Sequence, residues 1–342
     1  MSSSTPDRTI HQPIHPSIRS LLDPEYAAFH DKYFQYVIPD DQKIWDGSAR
    51  TATPLWPPTS SPLTPVSSVR DINLPNFPIR IFTPNHSKPN DGWPVFLWFH
   101  GGGWAIGGLN DGNDLCSLIS DTAKCVVVTV GYRLAPEHPY PSAVEDAVAA
   151  LEWVISPSGS SELGGINNSR IAVGGTSAGG NLAAVLSIKA SSLPAPINIC
   201  FQLLVVPVID NTASVEGVWG ENQFAPWLTP ARMTWYRDMY FPNPESCREW
   251  EASPNLAASE LLAKSPDTFI AVSGQDLLAP EARVFASVLE KAWTDEQVEG
   301  RNVEVKVYEG GTHSILAMSG VLSQGKLLLK DCAERIARAF SK

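Results

Sequence analysis

A serine flanked by glycines is the clearest candidate for chemistry in this sequence. Gly175-Thr176-Ser177-Ala178-Gly179 has the spacing G-x-S-x-G, which is typical of a sharp turn that exposes the central hydroxyl. It follows an apolar run, Ile171 to Gly174, and precedes a helical pattern, Asn181 to Ala190. A nucleophilic serine needs this succession of strand, turn and helix. The pattern therefore predicts Ser177 as a nucleophile, with a plain glycine-rich turn as the alternative.

A second glycine-rich segment, HGGGW at residues 100–104, follows the apolar run Val95 to Phe99. Glycines let backbone N–H groups approach a ligand because no Cβ atom is in the way. Acyl transfer needs such donors for the oxyanion of its tetrahedral intermediate. We therefore expect the N–H groups of Gly102, Gly103 and Ala178 to form an oxyanion hole. The histidine of this segment is expected to be structural, and a flexible loop without function is the alternative.

The general base follows by elimination. Hydrolases with this serine turn carry serine, acid and histidine in that order along the chain. Of the seven histidines, only His313 follows Ser177. It lies in a glycine-rich segment after the alternating run Val303 to Tyr308, where a strand end would position an imidazole. A surface histidine placed there by chance is the alternative.

The acidic residue that orients the imidazole is chosen by its position relative to a predicted strand. Asp276 follows the apolar run Phe269 to Ser273, whereas Asp267 precedes that run and Glu309 is too close to His313 in sequence. In the predicted division of labour, Ser177 attacks an acyl carbon, His313 transfers the proton and Asp276 orients the imidazole. We expect neither a metal nor an organic cofactor, because no zinc or phosphate-loop pattern is present.

Short apolar or β-branched runs alternate with helical patterns from residue 93 onward. Strand–helix alternation predicts a parallel sheet covered by helices on both faces. One helix is expected to begin with Ser142 as N-cap and Glu145 completing a capping box. The remaining predicted elements are strands at Val126 to Val130 and Ile199 to Val206 and helices at Ser142 to Ile155, Pro280 to Trp293 and Gly325 to Phe340.

Two segments fall outside this alternation. Of the 29 prolines, 15 lie in the first 94 residues, so residues 1–90 are expected to form an extended arm with a short helix near Glu25 to Tyr36. The catalytic body is then residues 91–342. Residues 210–251 are too long for an ordinary loop and predict a cap insertion. Its tryptophans favour a small core within the insertion, with one or two facing the substrate as the alternative.

Charge and cysteine content exclude several classes of function. Lys and Arg number 25 against 36 for Asp and Glu, and a net charge of −11 disfavours binding to nucleic acid or to anionic membranes. The five scattered cysteines predict free thiols in a reducing compartment. With no secretory pattern at residues 1–10, a cytoplasmic location is expected.

Five motifs in succession resemble the hormone-sensitive-lipase-like family of α/β-hydrolases. They are HGGGW at 100–104, GYRLAPEHPYPSAVEDA at 131–147, GTSAGGNLAA at 175–184, GQDLL at 274–278 and EGGTHSI at 309–315. The resemblance implies an eight-stranded, mostly parallel sheet with a cap built from the arm and the insertion. The chain departs from the family at Thr176, where Asp is usual, and at Leu277, where Pro is frequent. Pairing of some relatives through the last strand and helix implies a homodimer.

The predicted reaction is the hydrolysis of short- to medium-chain esters of small molecules. The resemblance extends to fungal esterases of secondary metabolism, and the tryptophan-rich cap suits a flat substrate. Transfer of the acyl group to an acceptor other than water is one alternative, and ligand binding without catalysis is another. Four side chains beside the motifs are predicted to line the substrate pocket, namely Trp104, Trp219, Leu278 and Ile315.

Overall fold

A computed structural model describes residues 8–342, in which eight strands form one sheet in the order β1-β2-β4-β3-β5-β6-β7-β8. The β1–β2 and β2–β4 pairs are antiparallel and all the other pairs are parallel. The predicted eight-stranded, mostly parallel sheet is therefore confirmed. The strands are β1 (Ser68–Asn73), β2 (Pro78–Thr83), β3 (Trp93–Phe99), β4 (Val126–Val130), β5 (Ile166–Thr176), β6 (Phe201–Val205), β7 (Asp267–Ser273) and β8 (Val303–Tyr308).

Helices cover both faces of the sheet. The helices are α1 (Pro24–Lys32), α2 (Asn113–Thr122), α3 (Ser142–Ile155), α4 (Pro157–Glu162), α5 (Ala178–Ala190), α6 (Pro230–Tyr240), α7 (Ser259–Leu262), α8 (Ala279–Asp295) and α9 (Ser323–Phe340). Buried side chains of α3, α5 and α8 form one core layer, and those of α2 and α9 form the other. Within residues 8–342, no helix combines the length and the apolar character needed to cross a bilayer.

The central strands form because their side chains are apolar on both faces. Every residue of β3 and of β4 is buried, as expected for strands between two helical layers. The helix predicted at residues 142–155 has those bounds, but its capping box is wrong. Ser142 is the first helical residue, Pro141 occupies the N-cap position, and no side chain caps the helix. Proline has no side-chain acceptor, so it cannot bond the free N–H groups of the first turn of α3.

The arm predicted at residues 1–90 needs correction. Residues 68–83 supply β1 and β2, which extend the sheet at one edge, so the body begins before residue 91. The edge strand β1 is mostly exposed, and β2, which pairs with β1 and β4, alternates buried and half-exposed side chains, so neither shows a continuous apolar run. The arm is thus shortened to residues 8–67, which contain α1 and short 3-10 helices. The part of the prediction on residues 1–7 lies outside the described residues.

Residues 210–251, the cap segment, follow β6 and contain α6 and the 3-10 helices Val218–Asn222 and Pro244–Arg248. The cap segment packs directly on the arm. The Trp227 ring lies 4.3 Å from the Phe34 ring, and the Trp235 ring lies 5.7 Å from the Trp45 ring. Trp227 thus joins a small cluster formed mainly by the arm, whereas Trp235 packs against the main core, so the two do not form a core within the insertion alone.

Candidate active site

The backbone at Ser177 is strained. Ser177 joins β5 to α5 with φ 56° and ψ −120°, a conformation that residues with a Cβ atom rarely adopt. The residues two positions before and after it must be glycine, since a Cβ atom on Gly175 would lie 2.1 Å from the Gly179 oxygen. A Cβ atom on Gly179 would lie 2.1 Å from the Phe99 oxygen. The sharp bend raises the hydroxyl above the carboxyl edge of the sheet.

The three residues predicted to share the chemistry lie in hydrogen-bonding contact. His313 Nε2 is 2.9 Å from Ser177 Oγ, and His313 Nδ1 is 3.0 and 3.1 Å from the two oxygens of Asp276. Asp276 is 1% exposed and Ser177 7%. Because the carboxylate is an acceptor, Nδ1 carries the proton and Nε2 is left to accept the serine proton. The arrangement suits proton transfer from a nucleophilic hydroxyl.

The acid loop, residues 274–278, is held by the base loop, residues 309–315. The Gly274 N–H donates to the Tyr308 oxygen at 3.0 Å, and the Gln275 N–H donates to the Gly311 oxygen at 2.8 Å. The Leu278 N–H donates to an Asp276 carboxylate oxygen at 3.2 Å. The two loops follow the neighbouring parallel strands β7 and β8, so their carboxyl ends meet at one edge.

The arm and α9 support the base loop from the other side. The Asp23 N–H donates to the Gly310 oxygen at 2.9 Å. The Gln324 amide donates to the Glu309 oxygen at 2.6 Å and to the Asp23 carboxylate at 2.8 Å. Gly310 has φ +70°, and a Cβ atom there would lie 2.6 Å from Asp23 N. The loop that carries the imidazole is thus clamped between α1 and α9.

Two N–H groups in the predicted oxyanion hole lack partners. Among residues 8–342, the N–H groups of Gly102 and Gly103 donate no hydrogen bond. Ala178 is the first residue of α5, and the N–H groups of a first helical turn have no partner within the helix. Gly102 and Gly103 have φ +114° and +57°. The two glycine N–H groups are therefore unpaired within the described residues, as the donors of an oxyanion hole must be.

The cap segment closes over this loop through Tyr236 of α6. A Cβ atom on Gly103 would lie 2.2 Å from Tyr236 Cγ, so the aromatic ring rests against the glycine backbone. Tyr236 was not found from the sequence, because nothing in its local pattern links α6 to residues 100–104.

His100 is structural, as predicted. Its Nδ1 lies 2.7 Å from the Gly101 oxygen, and its ring stacks on Tyr132 at 4.3 Å.

A buried carboxyl group joins the cap segment to α8. Glu281 accepts hydrogen bonds from the Ile209 N–H and from the Trp219 indole, both at 2.8 Å. Burial outweighs these hydrogen bonds and raises the pKa of Glu281 to about 8. Glu281 lies in the first turn of α8, five residues after Asp276, and no motif in the sequence singles it out. Within the described range of 8–342, no set of three or more His, Cys, Asp or Glu side chains is arranged to hold a metal ion.

The four predicted pocket residues lie in closed packing. Trp104 stacks on Tyr240 at 4.6 Å, and the Trp219 indole is hydrogen-bonded to Glu281. Leu278 and Ile315 are each fully buried in the core. None of the four has more than 1% of its surface exposed, so they support the walls of the site in this conformation. Their contact with a substrate stays a prediction.

Known proteins resemble this chain over most of its length. A family described as having the alpha/beta hydrolase fold matches residues 96–317. An AB hydrolase superfamily protein of Schizosaccharomyces pombe is 38% identical, covering 100% of both chains. Carboxylesterase NlhH of Mycobacterium tuberculosis is 33% identical over 75% of this chain and 79% of its own.

Solved structures of esterases also resemble this chain. EstE1, a thermophilic and thermostable carboxylesterase cloned from a metagenomic library, superposes with a TM-score of 0.72 at 31% identity. The match covers 81% of this chain and 90% of that one. The agreement therefore extends over most of the sheet and its covering helices.

Proposed function

The chain belongs to the hormone-sensitive-lipase-like family of α/β-hydrolases and is a carboxylic ester hydrolase, and we propose that Ser177, His313 and Asp276 are its catalytic triad. The observation that carries the proposal is the position of His313, whose two ring nitrogens bridge the serine hydroxyl and the buried carboxylate. A histidine with a structural role alone would not need to face a strained serine.

In the proposed reaction, Ser177 Oγ attacks the acyl carbon while His313 Nε2 takes the hydroxyl proton. The oxyanion that forms accepts hydrogen bonds from the N–H groups of Gly102, Gly103 and Ala178. The C–O bond of the ester then breaks, and His313 returns the proton to the leaving alcohol. Water attacks the acyl-enzyme by the same route and releases the acid, while Asp276 stabilises the imidazolium in both halves.

The substrates we propose are short- to medium-chain acyl esters of small molecules. Ser177 is 7% exposed and the His313 side chain 14%, so little of the reacting groups is accessible from the surface, which favours small substrates. Esters of secondary metabolites belong in the same substrate panel. The tryptophans that suggested a flat substrate are occupied by protein contacts, with Trp227 and Trp235 on the arm and Trp219 on Glu281.

Labelling with a serine-directed fluorophosphonate tests the proposal. We expect one adduct, on Ser177, and we expect Ser177→Ala to abolish the hydrolysis of p-nitrophenyl acetate. Ser187→Ala is the matched control, because Ser187 lies on the same α5 and its hydroxyl donates to the Ala183 oxygen. Intact-mass detection of acyl-enzymes across an ester panel then ranks acyl preference. A folded protein that resists labelling, or a Ser177→Ala variant with full turnover, would overturn the assignment.

Transfer of the acyl group to an alcohol is the second candidate. The low exposure of Ser177 favours it, because a site that admits little water lets another acceptor compete. Product ratios measured with and without added alcohols decide between hydrolysis and transfer.

Binding of a ligand without catalysis is the third candidate function, and any ester turnover that depends on Ser177 rules it out.

We also propose a cytoplasmic location and a homodimer. All five cysteines are unpaired, which suits a reducing compartment. In the described sheet β8 is the last strand, so its outer edge has no strand beside it and is available to a second copy. Cell fractionation tests the location, and light scattering of the purified protein tests the mass; a monomer at all concentrations would exclude the dimer.

A further inference from the structure

The side-chain amide of Asn222 reaches from the cap segment to the acid loop. Asn222 ends the 3-10 helix Val218–Asn222. Its Nδ2 lies 2.6 Å from the Asp276 backbone oxygen and 3.1 Å from the Gly274 backbone oxygen. An amide nitrogen has two protons, so both carbonyl groups can be satisfied at once. One side chain of the cap thus holds both ends of the short segment that leads to the carboxylate.

The acid loop is therefore held by two separate parts of the chain. Its N–H groups at Gly274 and Gln275 donate to carbonyl oxygens at Tyr308 and Gly311, on the side of the base loop. Its carbonyl groups are held by Asn222, on the side of the cap. Without Asn222 the first set of bonds would remain, but among residues 8–342 the Asp276 carbonyl would keep only the Ala279 N–H as a partner, at 3.1 Å.

From this geometry we propose that Asn222 is a positioning residue, which fixes the Asp276 carboxylate against His313 from within the cap segment. The inference rests on the proposed triad, since it assigns Asn222 a role only through Asp276. Asn222 does not touch the reacting atoms. Its effect comes through the angle at which the carboxylate meets the imidazole N–H, and a displacement of about 1 Å at a catalytic group costs on the order of 10²-fold in rate.

A positioning role differs from a structural one in what it changes. Loss of a positioning contact lowers kcat while the binding of the ester is kept, because the carboxylate acts on His313 and not on the substrate. Loss of a merely structural contact lowers the melting temperature and leaves kcat of the folded enzyme unchanged. The two outcomes are therefore separable in one set of variants.

The experiment compares Asn222→Ala, Asn222→Gln and Glu221→Gln in the full chain with p-nitrophenyl acetate. We expect Asn222→Ala to lower kcat by roughly 10- to 100-fold with KM changed less than about twofold. Asn222→Gln keeps the amide and is expected to recover part of that loss. Glu221→Gln is the matched control, because Glu221 lies on the same 3-10 helix but pairs with Arg283 of α8, outside the acid loop. It is expected to keep wild-type kcat.

A proton NMR signature completes the test. The His313 Nδ1–H that faces Asp276 should give a low-field resonance in the wild type, and we expect it to broaden or move in Asn222→Ala but not in Glu221→Gln. Wild-type kcat and an unchanged resonance in a folded Asn222→Ala variant would overturn the inference. If Ser177→Ala still abolishes turnover in that case, the triad stands and only the role of Asn222 falls.

Discussion

The Trp219 indole donates to the Glu281 carboxylate across 2.8 Å, with both side chains buried. Trp219 belongs to the cap segment and Glu281 to α8, so this bond fastens the cap to the helix that follows the acid loop. Three N–H groups surround the carboxyl group, at Ile209, Asp210 and Trp219. The ionisation of Glu281 is consequently coupled to the stability of the cap.

Glu281 should make the folded protein less stable as the pH rises. Burial raises the pKa of Glu281 to about 8, against an ordinary value of 4.5, so the folded state retains a proton that the unfolded state has lost. Stability from this group is complete below about pH 4.5 and is lost as the pH approaches 8, by up to about 1.4 kcal/mol per pH unit. Urea unfolding of the wild type and of Glu281→Gln from pH 5 to 8 measures this contribution to the free energy of unfolding. The advantage of the wild type should shrink with rising pH, and a constant difference would contradict the prediction.

Asp276→Asn should abolish most of the activity without unfolding the protein. The amide can donate to His313 and so favours the wrong tautomer, which costs roughly 10⁴-fold in kcat in a comparable triad. The control is Asp267→Asn at the start of β7, where the carboxylate accepts from the Asn302 N–H at 3.1 Å, at the opposite end of that strand from the acid loop. Steady-state kinetics with circular dichroism separates the two variants. Equal activity in both would contradict the role of Asp276.

Gly103→Ala should lose both activity and stability. The new Cβ atom would lie 2.2 Å from Tyr236 Cγ, so the loop or α6 has to move. Overpacking of this kind costs about 1–3 kcal/mol, and displacement of the residue 103 N–H from the oxyanion costs up to roughly 10²–10³-fold in kcat. Gly108→Ala, later in the same loop, meets no atom within 4 Å and should behave like the wild type. The assay is kcat together with the melting temperature, and a neutral Gly103→Ala would be the contrary result.

Ser177→Gly should be more stable than Ser177→Ala, although both are inactive. At φ 56° and ψ −120° the strain comes from the Cβ atom, which alanine keeps and glycine removes. Relief of about 1–3 kcal/mol exceeds the entropic cost of a glycine, about 0.5–1 kcal/mol. Denaturant unfolding of the two variants gives the difference directly. If alanine were the more stable of the two, the bend would hold no strain.

Much of the candidate site could be predicted from sequence, because its residues are marked either by a local pattern or by being the single residue of their type in the required order. The glycines around Ser177 mark a bend that requires them, and His313 is the one histidine after that serine. The position of Asp276 followed from the strand that precedes it. All three were inferred without knowledge of distance, because the carboxyl ends of parallel strands lie along the same edge of a sheet.

The contacts made by the cap could not be predicted in this way. Asn222 and Tyr236 reach the acid loop and Gly103 from an irregular insertion, and no periodicity relates their positions to those partners. The strands β1 and β2 were not predicted for a different reason. Their half-exposed, charged residues lack the continuous apolar run by which a buried strand is identified.

The clamp on the base loop has a consequence for protein synthesis. Asp23 and Gln324, which grip that loop together, are separated by 301 positions in the chain. A ribosome adding about 5–20 residues per second needs some tens of seconds between them. In the later part of that interval the nascent chain contains Ser177, the proposed nucleophile, while His313 is absent or unsupported. Hydrolytic competence should therefore arise only once Gln324 has been synthesised and can support the base loop.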